Sequence, residues 1–169
     1  MRPALLVVLL LVLVGCRKDP ALVGSVPGEV LFSLRSGTSI AELYDLTQRH
    51  ELELKEASSF IYEVDPSTAE SDSVRTVLLT KRYLTRAGLT FGITTTESGT
   101  YVSANFFALG DDDQLDWEMT VQQLGLIERL DRSTWQRGTL LVPLGQEAAW
   151  LLRLQKEPSI VNAQLNHYL

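Results

Sequence analysis

The chain has 169 residues and a formal net charge of −6, from 15 basic and 21 acidic side chains, with one cysteine and two histidines. That balance argues against nucleic-acid binding, which rests on clustered lysine and arginine. A single cysteine excludes an internal disulfide and a thiolate metal centre, so stability must come from an ordinary apolar core.

The N-terminus carries one positive charge, Arg2, then an unbroken apolar run from Ala4 to Val14 and a small residue, Gly15. This is the pattern of a secretory signal, and the run is well short of the roughly 20 residues that span a bilayer. It ends Leu13-Val14-Gly15-Cys16, which resembles the lipobox of bacterial lipoproteins, with the only cysteine at the position that family modifies. The resemblance implies cleavage before Cys16 and lipid on its sulfur. Residues 1–15 then read as signal peptide and 16–28 as lipid anchor and tether. Two or three acyl chains hold a protein to a bilayer durably, where one would not. The implied location is the cell envelope. Arg17 stands where an aspartate would resemble the inner-membrane retention signal of enteric bacteria, and its presence favours the outer membrane over the inner. Removal of Arg2 leaves 14 basic against 21 acidic residues, a charge of −7 that suits solubility beside an anionic surface.

The domain proper is expected from residue 29 to 169. Glu29 to Leu34 is a β-prone run ending at Ser36-Gly37. Ser39 and Glu42 form a capping box, and Ile40, Leu43 and Leu46 mark one face of a helix to about His50. Glu51 to Asp65 returns as extended chain, with Phe60, Tyr62 and Val64 alternating before the turn Asp65-Pro66-Ser67. A helix is expected from Ser71 or Asp72 to Gly88, then a β-hairpin over Leu89–Leu109 turning at Glu97-Ser98-Gly99. A second helix follows from Asp111 with Trp117, Val121 and Leu124 on one face. Gly138–Gly145 reads as a strand, Gln146–Lys156 as a helix stopped by Pro158, and Ser159–Leu169 as a final alternating strand.

The two ends therefore read strand–helix–strand twice. The expected fold is α+β, a ferredoxin-like split β-α-β sandwich with a helix–hairpin–helix insertion, residues 67–137, between the second and third strands. Such an insertion at a hairpin turn costs little, because loop-closure entropy grows slowly with length.

At both ends the residues also carry a family resemblance. Pro27-Gly28-Glu29-Val30-Leu31-Phe32, followed by Gly37-Thr38-Ser39 and a helix, resembles the opening of subtilase prodomains, the subtilisin-propeptide type of inhibitor. Pro158-Ser159-Ile160-Val161-Asn162-Ala163-Gln164-Leu165-Asn166 resembles their last strand, with Gln164-Leu165 in place of the usual Glu-Pro. The resemblance spans about 70 residues in two blocks. It implies an open sheet face that packs on a secreted subtilisin-like protease, and a C-terminal tail that enters the cleft as an added strand. The implied partner-binding residues are Asn166, His167, Tyr168 and Leu169, although this tail is short for reaching a catalytic serine. No protease sequence follows Leu169, so the resemblance implies a stand-alone inhibitor or folding partner. The alternative is an envelope lipoprotein that binds another protein through the inserted segment.

No catalytic set is legible, no cofactor is implied, and no enzyme activity is expected. His50 closes a helix where a cation suits the dipole, and His167 sits three residues from the end, a poor place for a rigid base. Asp111-Asp112-Asp113 lacks the alternating ligands and central glycine of a calcium loop and reads as a helix N-terminus, so no metal site is expected. Trp117, Trp135, Trp150, Phe106 and Phe107 are expected in the core.

Overall fold

A computed structural model describes residues 24–86, 88, 91–132 and 135–167. Cys16, Tyr168 and Leu169 lie outside these residues. Seven strands and four α-helices follow in the order β1 (Ser25–Leu34), α1 (Ile40–His50), β2 (Glu53–Val64), α2 (Ser71–Leu78), β3 (Gly92–Thr96), β4 (Gly99–Phe107), α3 (Asp111–Leu124), β5 (Leu126–Glu128), β6 (Arg137–Leu141), α4 (Glu147–Leu154) and β7 (Ile160–His167). The strands form one antiparallel sheet in the order β3-β4-β2-β6-β1-β7. β5 pairs with the last three residues of β2, on the side that β6 occupies further up the strand.

Local chemistry explains the first crossover. The Ser39 side chain accepts from the Glu42 amide, and Glu42 accepts from the Ser39 amide, so the capping box forms as read. Glu128, from β5, also accepts from the Ile40 amide at 3.1 Å and adds a second carboxylate at the positive end of α1. Ile40, Leu43 and Leu46 face the sheet, buried against Val30, Phe32, Leu54 and Leu140. At the far end of α1, His50 Nε2 lies 2.7 Å from Glu157, and its ring meets Trp150 of α4 edge-on at 5.6 Å. The imidazole thus joins the two crossover helices.

The segment between β2 and β6 does not stand apart. β4 pairs along the free edge of β2 from Glu56–Phe107 to Val64–Thr100, and α3 delivers Trp117 onto Tyr62 and Phe106, each at 5.1 Å between ring centres. Val74, Leu78, Trp117 and Leu124 belong to the same apolar cluster as Val30, Leu43 and Leu154. A strand edge and an apolar face that would otherwise meet water are covered by this segment.

Two local expectations are corrected, and one strand is added. The helix expected from Ser71 to Gly88 ends at Leu78, and Arg82–Leu84 is a separate 3₁₀ turn. The Thr80 and Lys81 amides donate three residues back, to Val77 and Leu78, which tightens the helix end. Lys81 Nζ and the Tyr83 hydroxyl then both reach Asp116, at 2.9 and 2.7 Å, and tie the chain to α3. β5, for which the sequence carries no expectation, has only three residues, too few for a period of two to show. Trp135 is 88% exposed rather than in the core, on a loop where its φ is +68°.

Glu147 locks the start of β1. Its carboxylate, 2% exposed, accepts from the Gly28 amide at 2.7 Å and the Gly145 amide at 3.1 Å. Gly28 has φ +74°, and a Cβ there would stand 3.2 Å from Leu144 Cδ2 and 3.3 Å from the Val142 oxygen, so a side chain at this turn would be strained and tightly packed. Burial alone would raise the Glu147 pKa, but the backbone donors of Gly28, Glu147 and Gly145 outweigh it and hold the carboxyl below its usual value of 4.5. A depressed carboxyl contributes stability above the unfolded value, and that contribution is lost as pH falls through the folded one. The urea midpoint of the protein should therefore drop between about pH 5 and pH 3 more steeply than that of Glu147→Gln. Parallel curves would show that the clamp holds equally well without its charge.

Candidate functional site

Helices α1, α3 and α4 bury one face of the sheet, and the alternate side chains of the same strands form the opposite face. From β1 these are Leu31 and Ser33; from β2, Glu56, Ser58 and Ser59; from β6, Arg137 and Thr139; from β7, Asn162 and Gln164; from β4, Asn105 and Phe107. Together they line a shallow groove of about 660 Å³. The sheet bends here because β2 is twice irregular, with a register shift against β6 between Leu54 and Glu56 and another against β4 between Ala57 and Phe60. At the second shift Ser59 takes φ +72°, a conformation uncommon for a residue with a Cβ, and its amide donates to Asn105 Oδ1 at 3.2 Å. β-bulges of this kind commonly sit where a strand re-aims its side chains next to a binding surface.

The groove is mostly neutral and polar. Its charged groups are Glu56, which accepts from the Thr139 hydroxyl at 3.2 Å, and the exposed Arg137. Leu31 and Phe107 supply apolar area. Two residues before Leu31 on β1, Glu29 accepts from Lys55 at 2.5 Å and from the neutral amide of Asn166 at 2.8 Å. Burial would raise the Glu29 pKa, but the bonds from Lys55 and Asn166 and the charges of Lys55 and Arg86 bring it below the usual value. The carboxylate therefore stays ionised at neutral pH.

Of the residues singled out at the C-terminus, Asn166 is half-buried and fixed to Glu29, while His167 is exposed and closes β7 opposite Ser25. Asp111 is not arranged as a cation ligand: it accepts from the Tyr44 hydroxyl and from Gln48 Nε2, and so joins α3 to α1. The Tyr44 phenol is pushed up to about 12 by burial and by that carboxylate. No group of three metal-ligating side chains occurs among the described residues, and none of their helices is long and apolar enough to cross a membrane. Ser58 and Ser59 line the groove, but neither histidine does. The groove offers hydrogen-bond donors, acceptors and apolar area along the sheet.

The sequence resemblance implies an open sheet face but names residues only in the tail, none on the groove floor. Ser58, Asn105 and Thr139 look like ordinary solvent-side strand residues, and their convergence depends on which strands are neighbours. No protein-family model, curated protein or solved structure matches the chain.

Proposed function

We propose that this chain is an exported, lipid-anchored binding protein of the subtilase-prodomain type, a non-catalytic inhibitor or folding partner of a secreted subtilisin-like protease. The observation that carries this reading is the uncovered groove face, bordered by a strand, β7, that leads into the C-terminal residues. Further support comes from β2-β6-β1-β7, the strand order of a ferredoxin-like split β-α-β sandwich with α1 and α4 as its crossovers. In this reading the groove meets the helices of the protease, and Asn166, His167, Tyr168 and Leu169 extend towards its cleft. The anchor on Cys16 confines the encounter to the envelope, within about 40 Å of the bilayer if a twelve-residue tether is extended.

The reading is tested with purified protein starting at Arg17, assayed for inhibition and for refolding of subtilases, including those of its own organism. Slow, tight inhibition or faster refolding is expected, weakened at least tenfold by Arg137→Glu in the groove. No effect on any subtilase would sink it. In cells, Cys16→Ser should abolish incorporation of labelled palmitate.

A second reading is an envelope interaction module that binds through the segment between β2 and β6. It is favoured by Leu115 and Met119, one turn apart on α3 and 60% and 63% exposed. Because Trp117 on the same helix is core, excision of residues 67–137 would unfold the sheet and cannot separate the readings. Leu115→Lys with Met119→Lys can: loss of partner capture there, with the groove variant unaffected, favours the second.

A further inference from the structure

We infer that Asn162, Ser33 and Arg137, in a row across β7, β1 and β6 at one end of the groove and beside the exposed Trp135, form a carboxylate-binding subsite. It takes an acidic side chain from an otherwise uncharged segment of a protein partner. The subsite rests on the proposed role of the groove as a protein-binding face and adds the chemistry of what is bound there.

The row follows from the strand register. Ser33 of β1 stands opposite Arg137 of β6 on one side and Asn162 of β7 on the other, and all three side chains line the groove. Neighbouring strands lie about 4.8 Å apart, so the row spans about 10 Å. It offers a guanidinium fork, a hydroxyl and a carboxamide, each able to donate to an anion, and it contains no carboxylate. The Arg137 carbonyl accepts from Ser58 Oγ at 3.3 Å, but its guanidinium has no hydrogen bond or ion pair among the described residues. The same holds for the side chains of Ser33 and Asn162.

The nearest acidic lining does not satisfy this cation. Glu56 pairs with Thr139, two residues further along β6 than Arg137, and is held there by the Thr139 hydroxyl at 3.2 Å. Two residues along a strand cover about 7 Å, so the charge of Arg137 is left uncompensated within the groove. An arginine fork grips a carboxylate through two parallel bonds, roughly twice as strong as neutral ones. The net charge of −6 narrows the partner further: a broadly acidic surface is repelled, whereas a lone carboxylate in a neutral segment meets the local cation.

Trp135 supplies the apolar neighbour. Between it and Arg137, Gln136 is turned inward, 1% exposed, with its Nε2 donating to the Thr38 carbonyl at 3.0 Å. Two residues span at most about 7 Å, which keeps Trp135 next to the row. Its φ of +68° is rare for a bulky side chain, and strain of this kind gathers at binding sites. Tryptophan and arginine are also the residue types that carry most binding energy at protein interfaces. An indole so fully exposed gains much by being covered, which suits an acidic residue with an apolar one beside it.

Amide NMR of the mature chain carrying Cys16→Ser tests this, with two peptides blocked at both ends as probes, Ala-Glu-Leu-Ala and Ala-Gln-Leu-Ala. The glutamate peptide should give saturable shifts at the Trp135 indole, the Asn162 carboxamide and the Ser33 and Arg137 amides, with a Kd of roughly 0.1–1 mM. The glutamine peptide should bind at least tenfold more weakly, and Arg137→Gln and Trp135→Ala should each weaken the glutamate peptide by as much. Arg75→Gln, the same charge change at an exposed position on α2, should leave Kd unchanged. Circular dichroism should show all three variants folded. No saturation by about 10 mM, equal affinity for the two peptides, shifts centred elsewhere, or an equal loss in Arg75→Gln would each overturn the subsite. Inhibition assays on the same proteins separate it from the protease reading. Glutamate-peptide binding without inhibition of any subtilase sinks that reading and leaves the subsite standing; inhibition unchanged by Arg137→Gln and Trp135→Ala sinks the subsite alone.

Discussion

Gly138→Ala should destabilise the protein by about 3 kcal/mol or more, a large share of the 5–15 kcal/mol that holds a typical domain folded. Gly138 lies in β6 between two strands, opposite Phe32 of β1 and Ala57 of β2. A Cβ at this position would stand 2.1 Å from the Glu56 carbonyl oxygen, 2.7 Å from Phe32 Cζ and 3.0 Å from Ala57 Cα. Two of these three atoms are backbone, in a strand paired on both edges, so relief requires breaking the ladder rather than turning a side chain. The crowding lies beside the bulge at Lys55–Glu56, where the register of β2 against β6 shifts. Urea unfolding followed by circular dichroism checks it. The midpoint should fall sharply or the cooperative transition vanish; a midpoint within about 0.5 kcal/mol of the parent would mean that β6 does not pass between β1 and β2 in this register.

Trp117→Ala should cost about 3–5 kcal/mol, the range for removing a fully buried large aromatic. Trp117 is 1% exposed and meets three rings: Tyr62 and Phe106 at 5.1 Å, and Tyr83 at 6.3 Å. Its indole Nε1 also donates to the Tyr62 hydroxyl at 3.3 Å. Tyr62 belongs to β2, so the loss should be felt by the whole sheet and appear as one cooperative transition, lowered by roughly 6–20 °C. Two separate transitions, with only one of them shifted, would show that the segment between β2 and β6 melts on its own. Trp117→Phe retains most of the ring contact and should cost markedly less.

Much of the secondary structure was legible because its signals are local. The capping box Ser39–Glu42 needs four consecutive residues, the turn Glu97-Ser98-Gly99 is short-range, and the alternation of Phe60, Tyr62 and Val64 is a property of one strand. α2 was read too long because Leu84 continues the helical spacing, while Thr80, Lys81 and Tyr83 find better partners in Val77, Leu78 and Asp116. The apolar character of Trp135 suggests a core position, yet it sits on a loop with no periodicity to bury it.

The sequence by itself determined the order of the strands and helices apart from β5, the acidic charge, and the placing of a lone cysteine behind an apolar run. These follow from composition and from interactions within about five residues. Only the tertiary structure decided that the segment between β2 and β6 shares the central sheet and core, that Gly138 is irreplaceable, and which polar residues line the groove. Each of those depends on strand neighbours far apart in the chain, such as Ser58 beside Arg137 or Glu29 beside Asn166. Pairing of that kind is set by shape and burial across the whole sheet, which no local window of residues encodes.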